Sequence, residues 1–267
     1  MSLRDVIRFA WRSLEGYRTR TLLMVLAMSI GVAAVVVLTS LGEGARRYVR
    51  NEFESLGTNL IIVLPGRAET VGGLGGMVSG RTTHDMTIED ALALRRIAGV
   101  EHVAPLNLVE GEIWAKGRHR NVPVAGSTAE VKFIWGLTVA SGRFLPSQDP
   151  RRGSNVCVLG SKVTRELFGA SSPLGEWVRL ADRRFRVIGV LAPKGEFAGV
   201  NMDELVFIPV ASAQAAFNLH SLLRIGVRTK AREDIPRVKR QMREILRERH
   251  GGDDDVTILT EDAVSAA

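Results

Sequence analysis

The sequence predicts an α+β protein in which a single N-terminal transmembrane helix with a stalk carries an exported domain. That domain is built of two β-α-β units in the split ferredoxin-like manner, with a mainly β subdomain inserted between them. Three observations predict it. Thr21 to Leu41 is apolar for twenty-one residues without a charge or a proline, enough for a helix of about 31 Å, which matches a hydrocarbon core of roughly 30 Å. The order strand, helix, strand occurs once after that stretch and again near the C-terminus. Between the two occurrences, short β-branched runs are separated by turn residues.

Residues 1–20 form the first element. Leu3, Val6, Ile7, Ala10, Trp11 and Leu14 recur at three- and four-residue spacing, with Arg4, Arg8 and Arg12 on the other side. This is the pattern of an amphipathic helix lying on the inner leaflet, with membrane lipid as its partner. Docking of the same face on a partner helix fits the pattern equally. Residues 21–41 are the span. A buried core helix of this length would carry a polar face, and a cleaved signal peptide has a shorter apolar region, about 7–15 residues, followed by small residues at its cleavage site. Arg4, Arg8, Arg12, Arg18 and Arg20 precede the span and Arg46, Arg47 and Arg50 follow it. The excess in front predicts a cytoplasmic N-terminus, with the bulk of the chain on the far side.

Residues 42–56 continue as a stalk helix, because no proline intervenes and Leu41, Ala45, Val49, Phe53 and Leu56 keep the helical rhythm. Gly57 ends it. Asn59 to Leu64 is a buried strand, and Gly66 to Asp85 a mobile, glycine-rich loop whose spacing fits neither a dinucleotide fingerprint nor a P-loop. Thr87 and Asp90 make a capping box for a short helix with Ile88, Ala91, Leu92, Arg95 and Ile97. Val100 to Val109 is the next strand. In the second unit, Leu222 to Val227 is a strand, Asp234 to Arg249 a helix with Ile235, Val238, Met242, Ile245 and Leu246 on one face, and Val256 to Leu259 a strand. Residues 57–110 and 220–267 thus make one subdomain, and residues 111–219 the insert. The insert holds a hairpin of Glu112 to Ala115 and Arg120 to Val124 around Lys116-Gly117, the strand Val156 to Leu159, the helix Ser161 to Phe168, a hairpin of Trp177 to Leu180 and Arg184 to Leu191 turning at Ala181-Asp182, and the strand Leu205 to Ile208 stopped by Pro209.

The chain carries 36 Lys+Arg against 29 Asp+Glu, a formal charge of +7, and only six of its basic residues are lysine. The arginines are spread along the chain without interleaved aromatics, which points to solvated surface and to no nucleic-acid partner. The one cysteine, Cys157, excludes an intrachain disulfide and reads as a small buried hydrophobe. His84, His102, His119, His220 and His250 lack metal-ligand spacing, and there is no C-x-x-C, H-E-x-x-H or G-x-S-x-G. The turn His250 to Asp255 holds three aspartates but lacks the other oxygen ligands of a calcium loop, and reads as a plain solvated turn. The sequence therefore points to no enzyme, to no catalytic, cofactor-binding or metal residues, and to a transmitting or structural role.

Several stretches taken together carry a resemblance: GTNLIIVLPG at 57–66, LTVASGRFLPSQD at 137–149, NVCVLGSKVTRELFG at 155–169, PLGEWVRL at 173–180, FRVIGVL at 185–191 and VFIPV at 206–210. With the anchor and stalk before them, they resemble the MacB-type periplasmic core domain of FtsX-like ABC transporter permeases. The resemblance covers nearly the whole chain. It implies a porter-like subdomain made of the two β-α-β units, with the insert as the second, smaller subdomain, and an inner-membrane location with the bulk periplasmic. As partners it implies an ABC ATPase subunit, a homodimer or a second permease chain, and often a periplasmic adaptor with an outer-membrane channel. ATP belongs on the separate ATPase subunit, whose hydrolysis moves the periplasmic domain for efflux or extrusion. Members of the family continue into three further membrane helices after the second β-α-β unit, and those are absent from these 267 residues. The expectation is a fragment, a split permease or a degenerate one. The alternative is a membrane-anchored periplasmic binding or regulatory module without transport.

Overall fold

The computed structural model of the chain describes residues 18–56, 59–66, 84–197 and 200–260. Residues 1–51 make one unit and residues 52–267 a second. The first is dominated by helix α1, Arg18–Leu56, which is 39 residues long and so about 58 Å. Span and stalk are one helix. Its segment Leu22–Gly42 is long and apolar enough to cross a membrane. Every large apolar side chain from Leu22 to Leu41 is more than half exposed, so the buried-core-helix reading does not hold. Thr39 turns its hydroxyl back onto the Val35 and Val36 carbonyls at 2.8 and 3.0 Å, which satisfies a polar group that a lipid environment would penalise. The amphipathic helix expected for residues 1–20 falls outside the described residues, apart from residues 18–20, which belong to α1. The same holds for the stalk's side-chain seam beyond Gly44 and for most of the glycine-rich loop.

The second unit opens on β1, Leu60–Pro65. It pairs antiparallel with β12, Val256–Thr260, on one side and with β11, Arg224–Thr229, on the other; β11 pairs antiparallel with β2, Val100–Ala115. The strand order β12-β1-β11-β2 is that of a split ferredoxin-like sheet, as the repeated strand-helix-strand order predicts. Helices α2, Ile88–Leu94, and α6, Ile235–Arg249, cover one face. Ala91 and Leu94 from α2 and Val238, Met242 and Leu246 from α6 share a core with Ile61, Val63, Val103, Ile225 and Val227. The predicted face of α6 is the one that is buried. In α2 the fully buried side chain is Leu94, and Leu92, one of the residues expected to build this helix, is only half-buried.

The strand β2 departs most from expectation. It was expected to stop at Val109, ahead of a separate strand from Glu112, but it runs unbroken through the expected boundary between residues 110 and 111. Its first part, to Leu106, pairs with β11; its second part, from Asn107, pairs with β3, Arg118–Ser127. Gly111, which reads in sequence as an interruption, is a packing glycine: a Cβ there would stand 2.9 Å from the Phe217 ring. The β2–β3 turn is the predicted Lys116-Gly117. Both residues have positive φ, 48° and 76°, as a type I′ hairpin turn requires.

The remaining strands of the insert are β4, Val139–Gly142, β5, Val156–Leu159, β6, Trp177–Leu180, β7, Arg183–Leu191, and β10, Val206–Pro209, together with the two-residue pair β8, Glu196–Phe197, and β9, Val200–Asn201. β3 pairs with β10, β10 with β5, β5 with β7, β7 with β6 and β6 with β2. These pairings close a six-stranded barrel. Ile113, Val124, Cys157, Leu159, Leu180 and Phe185 belong to its core, into which α4, Ser161–Phe168, sends Val163 and Leu167. β4 pairs antiparallel with the second half of β7, beyond β6, in close backbone contact: a Cβ at Gly189 would collide with the Arg143 carbonyl, and one at Gly142 with the Ile188 carbonyl. Two short helices escaped the sequence reading. One is α3, Val131–Ile134. The other, α5, Val210–Phe217, starts where Pro209 ends β10, since a residue fixed near φ −65° can stop a strand and open a helix alike.

Candidate functional site

A dense group of ionisable side chains lies at one end of the ferredoxin-like subdomain, where the start of α2, the end of α6 and the start of β12 meet. The capping box at Thr87 and Asp90 forms as predicted, with the Thr87 hydroxyl accepting from the Asp90 amide at 3.3 Å and the Asp90 carboxylate accepting from the Thr87 amide at 2.8 Å. The same carboxylate does more than cap. It is buried, and it also accepts from Arg249 Nε at 2.6 Å and faces His250 Nε2 at 3.5 Å. The other ring nitrogen of His250 meets Asp255 at 2.6 Å. His84 closes the group: its amide donates to Asp255 at 3.2 Å and its ring stacks on that of His250 with centroids 5.6 Å apart.

This arrangement corrects one expectation. The turn from His250 to Asp255 is not plainly solvated, because His250 and Asp255 are both buried. Its three aspartates do not converge: Asp253 faces His84, Asp254 faces Arg243, and Asp255 lies between His250 and His84. Asp90 and Asp255 sit on opposite nitrogens of one imidazole, so they do not converge on a shared ion. Among the described residues no three His, Cys, Asp or Glu side chains are placed to hold a metal.

The electrostatics follow from burial set against pairing. Burial alone would raise the Asp90 pKa, but hydrogen bonds from Arg249 and from the Thr87 amide and hydroxyl outweigh it and hold the carboxyl below its ordinary value. Burial would likewise lower His250, yet the Asp255 hydrogen bond and the charges of Asp255 and Asp90 carry it above the ordinary histidine value. The sequence showed the cap, but not the ring of partners, because Arg249-His250 stands some 160 positions from Asp90. The one signal available was a cation and a histidine at the end of a helix.

The other histidines are dispersed. His102 pairs with Glu130 and stacks on Phe133, and His119 stacks on Trp114. His220 lies exposed at the end of the insert. Cys157 is completely buried in the barrel, and burial pushes its thiol well above the ordinary value, so it is inert. Among the described residues none of these groups forms a nucleophile with a base, and an open cleft in the insert is lined by Asn155, Trp177, Arg183 and Arg184, with no acid–base pair.

What the geometry does supply is a junction between the two subdomains. A second core made of Leu60, Ala104, Leu106, Ile134, Trp135 and Phe207, with others, joins the open face of the ferredoxin-like sheet to the barrel. Arg151, from the insert, reaches Glu89 on α2 with two bonds of 2.6 and 2.7 Å. Arg228 of β11 donates to the Phe133 carbonyl at 2.9 Å. The barrel is therefore tied both to the helix layer and to the sheet of its neighbour.

Comparison with known proteins bears on what such a body is for. The model of the MacB-like periplasmic core domain matches residues 21–245. The chain is 31% identical over 242 residues to the macrolide export ATP-binding/permease protein MacB of Bdellovibrio bacteriovorus, covering 90% of this chain and 37% of that protein. It is 30% identical over 266 residues to the pyoverdine export ATP-binding/permease protein PvdT of Pseudomonas syringae pv. syringae, covering 98% of this chain and 39% of that one. The chain thus spans about two fifths of the length of these relatives. Among solved structures, the periplasmic region of MacB from Actinobacillus actinomycetemcomitans superposes with a TM-score of 0.67 at 22% identity, over 80% of this chain and 94% of that one. The extracellular domain of the noncanonic ABC-type transporter YknZ from Gram-positive bacteria superposes with a TM-score of 0.61 at 20% identity, over 76% of this chain and all of that one. By the domain matched over residues 21–245, with a fold shared with the periplasmic region of MacB, this chain belongs to the family of the MacB-like periplasmic core domain.

Proposed function

We propose that the chain is the permease subunit, or the N-terminal half of a permease, of a MacB/FtsX-like ABC transporter, and that it couples ATP hydrolysis on a partner subunit to movement of its periplasmic domain for efflux or extrusion. The observation that carries the reading is α1: a single helix runs from the membrane-spanning segment to Leu56, and β1 begins at Leu60. A continuous helix is stiff, so displacement at its membrane end is delivered to the sheet rather than absorbed on the way. In this reading the N-terminus is cytoplasmic by the arginine excess ahead of the span, ATP is bound by a separate ABC ATPase subunit, and the permease acts as a homodimer or with a second permease chain. A periplasmic adaptor and an outer-membrane channel complete the export route.

Replacing Arg47 by proline tests it. Proline inside a helix removes a backbone bond and clashes with the preceding turn, costing about 3 kcal/mol. The expected result is a chain that still inserts in the inner membrane and still co-purifies with its ATPase, but no longer supports export. Undiminished export by the Arg47→Pro protein would leave the helix as an anchor only. Recovery of the native chain without any ATPase under mild detergent would remove the transport reading and leave a periplasmic binding module.

A further inference from the structure

We propose that the outer face of the β6–β7 hairpin docks an extended acidic segment of a partner protein, an interaction that goes beyond the coupling role. Strand alternation sends Val178, Leu180, Phe185 and Val187 into the barrel and leaves Trp177, Arg179, Arg184 and Arg186 outside. The register places Trp177 opposite Arg186 and Arg179 opposite Arg184. Two arginines directly opposite each other repel and cost stability. No carboxylate compensates: among the described residues none lies within ion-pair distance of Arg179, Arg183, Arg184 or Arg186. The acids nearby are committed elsewhere or stand in the turn, Glu176 with Lys116 at 3.2 Å, Glu112 with His119 at 3.7 Å, and Asp182 beside Arg183.

The face also has a shape. Asn155, Trp177, Arg183 and Arg184 line an open cleft of about 380 Å³, and Trp177 is 56% exposed, unusual for a tryptophan in an otherwise well-packed barrel. Arg179 is already oriented, its guanidinium lying 4.9 Å above the Trp114 ring. Exposed tryptophan beside arginine is the composition of protein-binding hot spots.

The spacing selects the partner's conformation. Arg184 and Arg186, two apart on one strand, are offset by about 6.7 Å, and neighbouring strands by about 4.8 Å. Carboxylates at alternate positions of an extended chain repeat with the same 6.7 Å period. A strand-like segment with acidic residues at every second position, and an apolar side chain for Trp177, meets this face point for point. A single small anion would need the guanidinium groups to converge on one spot, and a flat strand face spreads them instead.

The test uses the full chain in nanodiscs of neutral phosphatidylcholine. The probe is a fluorescent octapeptide with glutamate at alternate positions and one phenylalanine, compared with its glutamine counterpart. The glutamate peptide should bind at least about tenfold more tightly, more weakly as salt rises, and with a several-fold loss in Trp177→Ala. Arg184→Gln with Arg186→Gln should abolish the preference, while Arg240→Glu, a charge reversal on the exposed side of α6, should leave it intact. A buried, unreactive Cys157 certifies that each variant is folded. In cells, a photoreactive residue at position 177 should cross-link to an acidic peptide of another protein. Equal binding of the two peptides, indifference to the double substitution, or cross-links to lipid or to a second copy of the chain would each overturn the proposal.

Discussion

Replacing Asp90 by asparagine keeps the shape of the side chain and removes its charge and one acceptor. In the native protein one carboxylate oxygen takes the Thr87 amide and hydroxyl, each at 2.8 Å, while the other takes Arg249 Nε at 2.6 Å. The asparagine amide points its NH2 group at a donor whichever way it is turned, at Arg249 in one orientation and at Thr87 in the other. One charge-assisted bond is lost, about 1.5–3 kcal/mol, and a donor is left facing a donor in a buried site. His250 loses one of its two carboxylates as well. The sum is about 3 kcal/mol, equivalent to a fall in Tm of about 6–12 °C for a folded body of roughly 200 residues.

Thermal unfolding followed by circular dichroism, with the full chain held in nanodiscs, measures the effect, and its pH dependence gives a second readout. His250 is raised above its unfolded value near 6.5, so its contribution is fully present below about 6.5 and is lost as pH rises through the folded pKa. Asp90 is depressed below 3.8, so its contribution is present above that value and is lost as pH falls through the folded pKa. Stability from this cluster is therefore greatest in the mildly acidic range between, and Asp90→Asn flattens both limbs. A Tm within about 2 °C of the native protein, together with an unaltered pH profile, would refute the assignment of this network as the clasp of the subdomain.

Gly189→Ala should destabilise the barrel by about 2–3 kcal/mol, since its Cβ is driven into the Arg143 carbonyl; denaturant unfolding that matches the native protein would show that β4 yields. Cys157, the chain's one thiol, should resist maleimide in the native state and react fully in urea, so its labelling rate reports opening of the barrel. Rapid native-state labelling would contradict its place in the core.

Much of this fold could be read from residue periodicity. β5 and α4 lie where Val156 to Leu159 and Ser161 to Phe168 placed them, and the two hairpin turns, Lys116-Gly117 and Ala181-Asp182, are where turn chemistry put them. The split ferredoxin-like order followed from a repeated local pattern that needs no long-range information. Three features were hidden for physical reasons. Barrel closure depends on β6 pairing with both β2 and β7, a fact of register across some seventy residues that no local window contains. The glycine at 111 means a break in sequence but serves here as space for Phe217. The Asp90 network uses residues that each have a sufficient local explanation, a cap, a helix terminus and a turn, so nothing in the sequence called for joining them.

The unbroken β2 has a kinematic consequence. Sixteen residues of strand make a spar of about 54 Å, bonded to one subdomain over its first part and to the other over its second. Neither body can slide away from its neighbour without shearing a ladder of hydrogen bonds. The soft coordinate left to them is torsion about the spar itself, between Leu106 and Asn107, where its partner changes from β11 to β3. A push entering the sheet at β1 would therefore reach the barrel as a twist, passed to the arginine face of the hairpin through β6, which is bonded directly to the far part of the spar.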